Sequence, residues 1–124
     1  MQPRYSVSKD ERAAIKEEMR AIMIEQARAR QTIPYSELAM RVPTAYLHPR
    51  SFQFASLLQE IGREEIEAGR GVLPAVVVRK DSGMPGGGYF GSTACMGHES
   101  AELEAWWRDD LETLYAYWAG QDTA

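Results

Sequence analysis

Soft metal ligands are scarce in this sequence, which has one cysteine, Cys95, and two histidines, His48 and His98. A lone cysteine makes neither an internal disulfide nor a thiolate cluster, and histidines fifty residues apart follow no ligand spacing, so no metal or other cofactor is expected. The single thiol fits a reducing compartment. No apolar run approaches the roughly 18 residues of a membrane span, and residues 1–10 lack the apolar stretch of a secretory signal. The expectation is a soluble, cytoplasmic chain with no membrane partner. Catalytic groupings are missing too. No Gly-Lys-Ser or Gly-Lys-Thr follows the glycine turn, no serine sits in a nucleophile elbow, and Val78 stands two before Lys80, where a restriction-type nuclease carries an acid. Cys95 has only His98 nearby to activate it. Glu60 and Glu64 lie one helical turn apart and could share a cation, but carboxylates so spaced are more often solvated. No catalytic residue is expected, and the chain is not read as an enzyme.

What is present suits one domain of 124 residues. The net charge of −4 argues against a protein that coats nucleic acid by charge alone. The average conceals a segregation, however. Leu38–Gln59 contains no acid but carries Arg41 and Arg50, and Gly69–Lys80 contains no acid but carries Arg70, Arg79 and Lys80. Such a partition can give an acidic protein a basic face; scattered solvated charge is the alternative.

Ser8 followed by Glu11 is a capping-box pattern that starts a helix, and Ile15, Met19, Ile22 and Met23 carry its apolar stripe to about Arg30. The two methionines are expected as core filler. Pro34 forces Ile33 into an extended conformation, and a two-turn helix follows with Ser36 as N-cap, Leu38, Ala39 and Val42 buried, and Pro43 as its end. Ser51–Ala68 reads as a longer helix with Phe54, Leu57, Leu58 and Ile61 on one side, terminated by Gly69 and Gly71. Its second half, with Glu60, Glu64, Glu65 and Glu67 against Arg63, is net acidic and would repel phosphate. Only its N-terminal end, with Arg50, Ser51 and Gln53, suits a nucleic acid. Ala75, Val76, Val77 and Val78 predict a buried strand, and the glycines at 83 and 86–88 turn it toward a return strand at Tyr89-Phe90, forming a hairpin. From Glu99 on, Leu103, Trp107, Leu111, Leu114 and Trp118 recur at helical spacing, widened by Trp106, Tyr115 and Tyr117. Core closure or a dimer surface would each explain that aromatic excess.

Thr32-Ile33-Pro34-Tyr35-Ser36-Glu37-Leu38-Ala39, the later helix, and Leu73-Pro74-Ala75-Val76-Val77 leading to Gly86-Gly87-Gly88-Tyr89 resemble, in order, the DNA-binding domain of the alkylguanine-DNA alkyltransferases and the alkyltransferase-like proteins. The resemblance covers 32–90. It implies a winged-helix-like fold, α+β and mainly helical with a β-hairpin, organised as a support helix (1–31), a core with the hairpin (32–91) and a C-terminal helix (92–124). In the alkyltransferases the Leu-Pro strand runs into the turn that holds the acceptor cysteine, whereas the corresponding stretch here is Val78-Arg79-Lys80-Asp81 and has no thiol. The expected function is therefore non-catalytic nucleic-acid binding through Tyr35, Ser36, Arg41, Arg50, Arg70, Arg79 and Lys80, with DNA as partner. The alternative is an interaction or assembly protein, a homodimer using the hairpin and the aromatic C-terminal helix.

Overall fold

A computed structural model describes residues 8–86 and 100–120. Helix α1 (Lys9–Arg28) begins where the capping box places it: the Ser8 hydroxyl accepts from Glu11 N, and the Glu11 carboxylate accepts from Ser8 N. Ile15, Met19, Met23 and Ala27 are buried along one stripe. The helix stops two residues before the expected Arg30, which takes φ 55° and turns the chain out of the helix.

Strand β1 (Ile33–Pro34) leads directly into α2 (Tyr35–Arg41). Ser36 is not the N-cap. Pro34 holds that position with no side-chain cap, and Ser36 lies inside the first turn. Leu38, Ala39 and Val42 are buried, as their spacing requires. Helix α3 (Phe52–Glu67) is capped by the Ser51 hydroxyl, which accepts from Phe54 N, and buries Phe54, Leu57 and Ile61. At Gly71 the φ of 97° reverses the chain after α3, a conformation that L side chains rarely adopt.

The valine-rich segment departs from its expected form. Leu73–Val76 is a 3-10 turn, and only Val77–Val78 is extended, as β2. Pro74 lacks an N–H and suits the start of a helical turn better than the interior of a sheet. Gly62 lets this turn pack closely on α3, since a Cβ there would lie 3.2 Å from Pro74 Cγ. Strand β2 pairs parallel with β1, Ile33 opposite Val77 and Pro34 opposite Val78. The expected hairpin is described only in part. Arg79 N donates to the Met84 carbonyl and Gly83 N to the Arg79 carbonyl, both at 2.8 Å, closing a turn after β2. The return strand at Tyr89-Phe90 lies outside the described residues.

Helix α4 (Ser100–Ala119) closes the core. Trp107, Leu111, Leu114, Tyr115 and Trp118 are buried, and Trp107 Nε1–H donates to the Ala75 carbonyl at 2.7 Å, tying α4 to the 3-10 turn. The arrangement is mainly helical with one small parallel sheet. Among the described residues no helix is long and apolar enough to cross a membrane.

Candidate nucleic-acid interface

One flank of α3 is locked to α1 by charge. Arg12 makes a forked contact to Glu60, at 3.0 and 2.6 Å, and Lys16 reaches Glu64 at 2.7 Å. Arg20 binds Glu64 and, at 2.6 Å, Glu65. Glu65 is fully buried and takes a second fork from Arg70, at 2.9 and 2.7 Å. Three of the four acids that would repel phosphate, Glu60, Glu64 and Glu65, are thus held by Arg12, Lys16, Arg20 and Arg70, whereas Glu67 is exposed on the other flank. On the opposite, open flank the charges of the second half of α3 are Arg63 and Glu67.

These contacts set a pH dependence. Hydrogen bonds from Arg12 hold the Glu60 carboxyl at about 2, against an ordinary value of 4.5. Lys16 and then Arg20 lower Glu64. Arg70, opposed by burial and assisted by Arg20, lowers Glu65. Folded values below unfolded ones mean that the pairs stabilise the fold above the unfolded carboxylate range and lose that contribution as pH falls through the folded values. Urea midpoints are expected to be flat above about pH 5 and to decline steadily from there to about pH 2. A midpoint unchanged between about pH 5 and pH 3 would mean the ladder adds nothing.

The open flank borders two recesses that share Tyr35, Pro49 and Arg50. The smaller, about 540 Å³, is lined also by Ser36, Arg79, Lys80 and Asp81. It gathers five of the seven residues expected from sequence: Tyr35, Ser36, Arg50, Arg79 and Lys80. Each arrives from a different local cause. Tyr35 and Ser36 open α2 because Pro34 ends β1, Arg50 precedes the Ser51 cap of α3, and Arg79 and Lys80 follow β2 into its turn. Tyr35 is pinned by Gly86, whose N–H donates to its hydroxyl at 2.8 Å. Burial raises the Tyr35 pKa, so the phenol keeps a proton to donate.

Arg79 and Asp81 form a forked pair at 3.1 and 2.9 Å, which offsets part of the positive charge there. Among the described residues, no carboxylate pairs with the side chains of Arg50, Lys80 or Arg63. The other two expected residues lie elsewhere. Arg41 is engaged with Glu37 one turn back on α2, and Arg70 is committed to buried Glu65. Neither lines a recess.

The larger recess, about 760 Å³, was not anticipated from sequence as a site. It is a groove with Phe54, Ala55, Leu58 and Ile66 of α3 on one side and Val72, Pro74 and Val77 on the other. Arg63, set in the sequence among the acids of α3, stands on its wall. The signal that could have found it is the matching of Arg12, Lys16 and Arg20 to Glu60 and Glu64, two ladders of like spacing and opposite sign that leave Arg63 over.

Among the described residues no three His, Cys, Asp or Glu side chains are grouped to hold an ion. His48 is exposed and its Nδ1 accepts from Arg50 N at 3.0 Å. Cys95 and His98 lie outside the described residues. Of the aromatic residues considered for a dimer surface, Trp107, Tyr115 and Trp118 are core, whereas Trp106 is exposed. Comparison of the chain with protein-family models, with curated proteins and with solved structures finds no match.

Proposed function

We propose that this chain is a non-catalytic, winged-helix-like protein that binds nucleic acid through the recess at the N-terminal end of α3. The observation that supports this reading best is the convergence of Tyr35, Ser36, Arg50, Arg79 and Lys80 on one recess, with Arg50 and Lys80 free of carboxylate partners among the described residues. Cations elsewhere are largely spent on ion pairs: Arg12, Lys16, Arg20, Arg30, Arg41, Arg70 and Arg108 each meet a carboxylate. Unpaired cations concentrated beside a helix N-terminus suit phosphate oxygens, which accept from guanidinium, ammonium and hydroxyl groups. On this reading α3 is the recognition helix and the turn after β2 the base of the wing, with DNA duplex as partner.

The test is fluorescence anisotropy of labelled duplex and single-stranded DNA across a salt series. Three phosphate contacts, at Arg50, Arg79 and Lys80, predict a log–log slope of about −2.7 for duplex, at roughly 0.9 per contact. Binding with no salt dependence, or none at about 50 mM salt, would remove the reading.

A further inference from the structure

The groove along α3 has a composition that phosphate binding does not use. Its walls are mainly apolar, and its volume of about 760 Å³ falls within the range of about 300–1,000 Å³ typical of small-molecule sites. Two guanidiniums, Arg50 and Arg63, stand against one carboxylate, Glu67, on its lining. Arg63 is exposed, makes no ion pair among the described residues, and belongs to this groove alone, not to the cationic recess. An apolar channel with an uncompensated guanidinium on its wall is complementary to a molecule with an apolar body and one anionic end. A neutral molecule of the same body forgoes the charge-assisted hydrogen bonds that Arg63 offers, and a cationic one meets repulsion.

We infer that the groove between α3 and the Leu73–Val76 turn is a binding site for a small amphipathic anion, its apolar body against Phe54, Leu58 and Pro74 and its anionic group on Arg63. The inference goes beyond nucleic-acid binding and does not depend on it. It does imply interference, since Tyr35, Pro49 and Arg50 wall both recesses and an occupant of the groove presses on residues that the recess uses.

The full chain is titrated with 8-anilinonaphthalene-1-sulfonate, itself an amphipathic anion, and the bound dye is displaced with octanoate, octan-1-ol and octylammonium. The expected result is one saturable dye site, with octanoate displacing at concentrations at least about 10-fold below octan-1-ol and octylammonium the weakest, as one charge-assisted contact implies. Arg63→Gln is expected to weaken octanoate by about 10-fold and leave octan-1-ol unchanged. Ala55→Trp, placed at an exposed position on the groove wall, fills the channel and removes dye and octanoate together. Far-UV circular dichroism and the urea midpoint establish that both variants are folded. Equal displacement by octanoate and octan-1-ol, unchanged octanoate affinity in Arg63→Gln, or dye binding that survives Ala55→Trp in the folded protein would each overturn the inference.

Discussion

Replacing Arg20 with methionine is expected to destabilise the fold by about 3 kcal/mol, more than removal of any exposed charge in the chain. Arg20 joins three carboxylates. It donates to Glu17 on its own helix at 3.1 Å, to Glu64, and at 2.6 Å to Glu65, which has no exposed surface. A carboxylate removed from water depends on its hydrogen-bonding partners, and breaking a buried pair leaves an uncompensated charge in a medium of low polarity. Arg70 still reaches Glu65 in the variant, which holds the loss near the lower end of the range for such pairs. The cost therefore belongs to the stranded carboxylate. Adding Glu65→Leu to Arg20→Met should recover much of it, because Arg70 retains solvent access and an apolar side chain in place of Glu65 needs no partner. Urea denaturation of the wild type, both single variants and the double variant gives the coupling directly. A double variant as unstable as the sum of the singles would refute this account. Arg41→Ala, which removes only the exposed pair with Glu37, should change stability by less than about 0.5 kcal/mol.

How much of this was legible in the sequence depends on the range of the interactions. Signals confined to one helical turn were readable: the Ser8–Glu11 box, the stripes of α1 and α3, and Val42-Pro43 as the end of α2. Ser36 misled because it has the side chain of a cap, whereas Pro34 already supplies the extended φ and ψ from which α2 starts. The valine run misled because burial and β-branching are equally compatible with a strand and a buried turn. The deciding contact, Pro74 on Gly62, connects segments that sequence periodicity treats separately.

The site divides in the same way. Arg50, Arg79 and Lys80 were singled out by acid-free segments and Tyr35 and Ser36 by the motif order, and these five line one recess. Arg41 and Arg70 belong to the same acid-free segments, but Glu37 and Glu65 claim them from the residues just outside. The acidity of α3 is legible in its sequence, but the partners of Glu60 and Glu64 are not. These partners are Arg12, Lys16 and Arg20, 44 to 48 residues away, and only their pairing turns Glu60, Glu64 and Glu65 toward α1 and leaves the groove flank open.

That reassignment also changes which charges to reverse. Arg79 is held by Asp81, so its substitution mixes a lost cation with a released carboxylate. Among the described residues Arg50 and Lys80 carry no such partner, and Lys80 lines this recess and not the groove, while Arg50 walls both. Each phosphate contact changes affinity by roughly 8-fold at about 0.1 M salt, from a slope of about 0.9 per contact, so losing two lowers affinity by about 60-fold. Reversal adds repulsion, and Arg50→Glu combined with Lys80→Glu is expected to weaken DNA binding by more than about 100-fold while flattening the salt slope by about 1.8. Both side chains are exposed and neither holds an ion pair among the described residues, so the urea midpoint should stay within the range of ordinary surface substitutions. Arg41→Glu, compared with Arg50→Glu alone, is the matched control: it makes the same change of charge outside the recess and should leave the slope unchanged. Equal losses from Arg41→Glu and from Arg50→Glu alone would show that net charge, and not the recess, governs binding. A lost slope in the pair with an intact slope in the control would locate the phosphates between α2, the start of α3 and the turn after β2.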